Sequence, residues 1–88
     1  MAKVEIYTRE YCGYCSRAKS LLSSKGVAFE EIRAGEDAGR RREMIQRANG
    51  GSTYPQIFIN GAHVGGSDEI HDLDRNGRLD AMLSQAAA

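Results

Sequence analysis

"TREYCGYCSRAKSLL", residues 8–22, holds both cysteines of the chain, Cys12 and Cys15, with Gly13 and Tyr14 between them. The segment leading into it, KVEIYT (3–8), alternates: Val4, Ile6 and Thr8 face one way, Glu5 and Tyr7 the other. With its β-branched content it reads as a strand. Past Gly13 the period changes. Cys15, Ala18, Leu21 and Leu22 share one face at helical spacing, while Arg17, Lys19 and Ser20 point outward. Gly26 supplies the left-handed stop of a helix over 13–25. VAFEEIR (27–33) alternates again as a second strand. Strand, helix and strand in this order predict a right-handed parallel crossover. The two thiols sit where its first strand turns into its helix.

The remaining elements follow from the same signals. After the loop AGEDAG (34–39), Asp37 is a helix N-cap, and the helix over about 38–48 buries Met44, Ile45 and Ala48. NGGST (49–53) breaks it. PQIFIN (55–60) is a third strand and AHVGG (62–66) a fourth. Asn60-Gly61 between them is a strong hairpin signal, because both residues tolerate positive φ. SDEIHDLDR (67–75) opens with capping residues and reads as a short helix. GRLDAMLSQ (77–85) reads as a last one, with Leu79, Met82 and Leu83 facing in. The order is β-α-β-α-β-β-α-α. It predicts an α/β sandwich of three layers, a mixed four-stranded sheet covered by helices on both faces.

Eighty-eight residues make one domain, 1–88, with a modest core. Twelve acids balance twelve bases, which argues against a general nucleic-acid binder. The one basic run, Arg40-Arg41-Arg42, reads as a solvated helix face. No apolar run nears the roughly 20 residues needed to span a bilayer, so no membrane is expected. The N-terminus MAKVEIYT shows no apolar export signal. The expected location is therefore the cytoplasm, where a reducing thiol pool makes two cysteines more often catalytic or metal-binding than a permanent staple.

A C-x-x-C after the first strand of a βαβ unit is a redox signature for a physical reason. Cys12 sits at the expected N-cap, where unpaired N–H groups and the positive end of the helix dipole stabilise a thiolate. A thiolate is the nucleophile of disulfide exchange. Arg9 lies close enough in sequence to add a cation. Cys15 faces inward with Ala18 and Leu22, so it should be more buried and keep its proton more tightly. On this reading Cys12 attacks and Cys15 resolves. Two other readings compete. A zinc site from Cys12, Cys15, His63 and His71 would need histidines eight positions apart, wider than common ligand spacings. An incidental pair of core cysteines would not call for a cation and a glycine at a helix start. The pattern favours a redox dithiol without naming its reductant.

Three motifs then resemble one family. CGYC (12–15) resembles C-P-Y-C, STYPQIFINGAHVGG (52–66) resembles a segment built around T-V-P-Q-I-F-I, and GGSDE (65–69) resembles G-G-x-D. Together, in order and on the right elements, they resemble the dithiol glutaredoxins over essentially the whole chain. The resemblance implies a thioredoxin-like fold and glutathione-dependent thiol–disulfide exchange on glutathionylated or disulfide-bonded proteins. It also implies a glutathione site. Arg9 would meet the glycyl carboxylate and Tyr14 would flank the tripeptide. Thr53, the backbone of Tyr54 and a cis Pro55 would form one wall. Gly66, Ser67 and Asp68 would hold the γ-glutamyl end, with helix N–H groups on its carboxylate and Asp68 on its ammonium.

Two positions depart from the family pattern. Tyr54 stands where valine is usual, and its contact with glutathione runs through backbone. Gly13 replaces proline, which frees the backbone and removes bulk beside Cys12. In the family a small residue here goes with a [2Fe–2S] cluster bridged by the first cysteine of two chains and two glutathiones. The resemblance therefore implies a monomer, or a cluster-bridged dimer as an alternative. A non-catalytic thioredoxin-fold binding module is a further alternative.

Overall fold

The computed structural model describes residues 2–86. Its elements are β1 (Val4–Thr8), α1 (Gly13–Ser24), β2 (Glu30–Arg33), α2 (Ala38–Arg47), β3 (Gln56–Ile59), β4 (Ala62–Gly65), α3 (Ser67–Arg75) and α4 (Leu79–Ser84). The sheet order is β2-β1-β3-β4. β1 runs parallel to β2, with Glu5 opposite Glu30 and Thr8 opposite Arg33. It runs antiparallel to β3, with Val4 opposite Ile59 and Tyr7 opposite Gln56.

Because β1 is central and covered on both faces, its alternation separates two cores rather than core from solvent. Val4 and Ile6 join Ile57 and Ile59 of β3 in the larger core. Ala18 and Leu22 of α1, Ile70 of α3, and Leu79 and Leu83 of α4 close it. On the opposite face Tyr7, Phe58 and Ile32 pack against Met44 of α2 and Ala48 at its end. This is the three-layer sandwich that the periodicities predict.

The second core carries a polar cluster. Glu5 is buried although charged. The Arg47 guanidinium donates to both Glu5 carboxylate oxygens at 2.9 and 3.3 Å and to the Tyr7 hydroxyl at 2.8 Å. The Tyr7 hydroxyl in turn donates to Glu43 at 2.6 Å. The guanidinium also lies 4.1 Å from the Phe58 ring centroid. Its hydrogen bonds hold the Glu5 carboxyl below the usual carboxylate range. Burial, with the hydrogen bond to Glu43, pushes the Tyr7 hydroxyl up.

Most element ends shift by one or two residues from the sequence reading, and two further differences stand out. β2 begins at Glu30 rather than at Val27, because its partner β1 begins at Val4 and its ladder starts at Glu5. Val27 and Phe29 still pack on the larger core without pairing. The second difference is at α3. Its N-cap is Gly66, and the first-turn acid Glu69 accepts the Gly66 N–H at 2.6 Å. Ser67 and Asp68 therefore occupy the first two helical positions and do not cap the helix. The hairpin is as expected, with Asn60 at φ 52° and Gly61 at φ 81°. β4 carries an irregularity at Val64, so that Phe58 faces His63 while Ile57 faces Gly65. Among the described residues, no helix is long and apolar enough to cross a membrane.

Candidate active site

The site forms where the C-terminal end of β1, the start of α1, the loop before β3 and the start of α3 converge. Cys12 is the N-cap of α1, extended at φ −112° and ψ 102°, and its sulfur accepts the Cys15 N–H at 3.1 Å. The two cysteines are joined as a disulfide, with their Cα atoms 5.2 Å apart. Cys12 is 8% exposed and Cys15 2%, so attack from solvent reaches Cys12 first. The ordering follows from the helix. Cys15 lies one turn in, on the face that carries Ala18 and Leu22 into the core.

Two grooves lie near this bond. The first, about 340 Å³, is lined by Tyr14, Thr53, Tyr54, Pro55, Gly66, Ser67, Asp68 and Glu69. The Cys12 sulfur lies 3.9 Å from the Tyr54 carbonyl oxygen at its edge. The Tyr54–Pro55 peptide is cis. The Tyr54 side chain turns away from the thiol: its hydroxyl donates to the Ala34 carbonyl at 3.1 Å and its ring packs beside the second core. At the far end, the first turn of α3 presents N–H groups that lack intrahelical partners, beside the carboxylates of Asp68 and Glu69. Such an end suits a group that carries both a carboxylate and an ammonium.

The second groove, about 280 Å³, includes Arg9, Cys12, Cys15, Lys19, Glu31 and Arg33. Glu31 accepts from the Thr8 hydroxyl at 2.7 Å and pairs with Lys19 at 3.1 Å. The Thr8 bond foremost, then Lys19, holds its carboxyl below the ordinary range. The Arg9 guanidinium donates to the carbonyls of Glu10 at 3.0 Å and Tyr11 at 3.5 Å. Tyr11, immediately before Cys12, stands 97% exposed at φ 54°.

Of the residues expected at a glutathione site, seven line the first groove together. Arg9 does not; it lies on the other side of Cys12. Glu69 was missed, and its signal was available: an acid three positions after a glycine at a helix start. The two histidines lie elsewhere. His63 Nε2 is 2.6 Å from Gln56 Oε1, and His71 Nδ1 is 2.7 Å from the Ser67 carbonyl. Among the described residues, no group of three or more His, Cys, Asp or Glu side chains is placed to hold a metal.

Comparison with known proteins is consistent with this arrangement. The Glutaredoxin family model matches residues 4–64. The chain is 55% identical over 83 residues to Glutaredoxin 3 of Escherichia coli (strain K12), an alignment covering 94% of this chain and 99% of that one. The solution structure of glutaredoxin from Brucella melitensis superposes with a TM-score of 0.82 at 49% identity, covering 94% of this chain and 89% of that chain. A crystal structure of a buckwheat glutaredoxin–glutathione complex gives a TM-score of 0.83 at 34% identity, covering 94% of this chain and 77% of that chain. An N-capping cysteine bonded to a buried partner, set beside a groove that ends at a helix start, thus comes with family relatives over nearly the whole length: the chain belongs to the glutaredoxin family of thiol–disulfide oxidoreductases.

Proposed function

We propose that this glutaredoxin uses glutathione to reduce glutathionylated proteins and protein disulfides, with Cys12 attacking and Cys15 resolving. The observation that carries this reading is the Cys12–Cys15 disulfide at the N-terminus of α1, with the sulfur of the less buried cysteine 3.9 Å from the carbonyl oxygen of Tyr54, a residue that lines the first groove. On a mixed disulfide, the Cys12 thiolate attacks the glutathionyl sulfur. A Cys12–glutathione bond forms, the substrate S–S bond breaks, and the substrate thiolate leaves and takes up a proton. A second glutathione thiolate attacks that sulfur and releases oxidised glutathione. On a protein disulfide, the Cys12 thiolate attacks one substrate sulfur, the substrate S–S bond breaks, and its other sulfur leaves as a thiolate and takes up a proton. Cys15 then attacks Cys12, releases the substrate dithiol and leaves the disulfide seen here. Two glutathiones reduce it again. The helix N-terminus favours the thiolate at each turn.

In the first groove the bound tripeptide lies along the Tyr54 backbone, with its γ-glutamyl carboxylate on the α3 N–H groups and its ammonium on Asp68. Tyr14 flanks it. Arg9 reaches the glycyl carboxylate by leaving the carbonyls of Glu10 and Tyr11. Regeneration needs a reduced glutathione pool, which supports a cytoplasmic location. A [2Fe–2S] cluster takes four thiolates. One chain sets only Cys12 beside the groove, with Cys15 more buried. One chain supplies at most one of these thiolates, so such a cluster would need Cys12 of a second chain and two glutathiones, and no step here runs through one.

Turnover of a glutathionylated peptide, coupled to NADPH through glutathione reductase, tests the assignment. Cys12→Ser is expected to be inactive. Cys15→Ser is expected to keep most of that activity while losing efficient reduction of a protein disulfide. Full turnover by Cys12→Ser, or none by the wild type, defeats the reading.

A further inference from the structure

One chain of hydrogen bonds reaches the groove from outside it. Gln56, the first residue of β3, is 4% exposed. Its Nε2 donates to the Thr53 carbonyl at 3.0 Å and to Thr53 Oγ1 at 3.1 Å. That orientation turns Oε1 toward β4, where it meets His63 Nε2 at 2.6 Å. An amide oxygen only accepts, so Nε2 of His63 carries the proton. The imidazole is steadied by Phe58, with ring centroids 5.2 Å apart.

The consequence falls on Thr53, which lines the groove. Because Oγ1 already accepts from Gln56, the hydroxyl proton is directed elsewhere, and the groove is where an acceptor arrives. A flipped Gln56 amide would present oxygen to Thr53 and draw that proton away from the groove. The Thr53 carbonyl, which only accepts, sets the amide this way round, and His63, with its Nε2–H then directed at Oε1, adds a second bond that the flip would break. We infer that His63 is a positioning residue for glutathione binding, acting through Gln56 to hold Thr53 as a donor to the bound tripeptide. The inference rests on the assignment of the first groove to glutathione.

Steady-state turnover of a glutathionylated peptide at saturating glutathione tests it. His63→Ala should raise KM for the peptide about threefold to tenfold, as for one lost hydrogen bond, with kcat unchanged. His63→Phe keeps a ring on Phe58 but has no donor, and it should behave like His63→Ala. His63→Gln restores an N–H donor and should return KM toward the wild-type value. Thr53→Val should raise KM similarly, and combining it with His63→Ala should add little. Wild-type KM in both His63→Ala and His63→Phe overturns the inference. So does an effect of His63→Ala that persists undiminished on top of Thr53→Val, or one that His63→Gln fails to relieve. A wild type without turnover would instead defeat the glutathione assignment itself.

Discussion

Replacing Arg47 by methionine should destabilise the fold by about 2–3 kcal/mol, from the loss of charge-assisted hydrogen bonds to a buried acid. The guanidinium makes two bonds to Glu5 and one to Tyr7. The side chains are 29% and 12% exposed, so the pair is screened less than a surface pair and more than a fully buried one. Its stacking on Phe58 adds about 0.5–1 kcal/mol, while methionine refills much of the volume. For a domain of this size the loss corresponds to a melting temperature lower by roughly 10–20 °C. The effect must depend on pH. The Glu5 carboxyl is held low in the folded state. Its contribution is therefore full above the unfolded value of about 4.3 and is lost as pH falls through the lower folded value. Urea unfolding of wild type and Arg47→Met should show the full gap at pH 7 and a narrowing gap below about pH 4. Glu5→Met combined with Arg47→Met should recover much of the loss, because no charge is then left buried. A gap under about 0.5 kcal/mol at pH 7, or one that stays constant into acid, would refute the reasoning.

Two further substitutions probe the ends of the site. A Cβ on Gly35 would lie 2.5 Å from Arg9 Cβ and 3.1 Å from its Cα, so Gly35→Ala must push the segment before Cys12 and should cost about 1–3 kcal/mol in urea unfolding. Asp68→Asn removes the charge assigned to the glutathione ammonium. It should raise KM for a glutathionylated peptide roughly tenfold with little change in kcat, and an unchanged KM would reassign that end of the groove.

The element order was legible because each element has a clean period and a distinct stop, such as Gly26 at φ 70° after α1. The position of Cys12 at a helix start was legible for the same reason. What lay beyond local pattern was set by neighbours. Alternation in β1 could not reveal that both of its faces are covered, so the buried Glu5 and its need for Arg47 were invisible until α2 was packed on the sheet. The cap of α3 was misplaced by a residue because Ser67 and Asp68 are good capping types, whereas Gly66 caps through backbone with Glu69 closing the turn. Arg9 was assigned to the glutathione site by family resemblance, as the cation before the first cysteine. Its chain turns at Tyr11 and leaves it on the other side of the disulfide.

The sheet order has a consequence for biosynthesis. β1 pairs with β3 from Val4 to Ile59, so the centre of the sheet cannot close until the second half of the chain has left the ribosome. The cysteines emerge early, and the wall from Thr53 to Pro55 follows some forty residues later. At roughly 5–20 residues per second, the nascent dithiol waits for several seconds without its groove. During that interval the core that receives Ala18 and Leu22, the helix face Cys15 shares, still lacks Ile57, Ile70 and Leu79. The same reducing pool that later serves as co-substrate is then what keeps the two thiols from being captured by other chains.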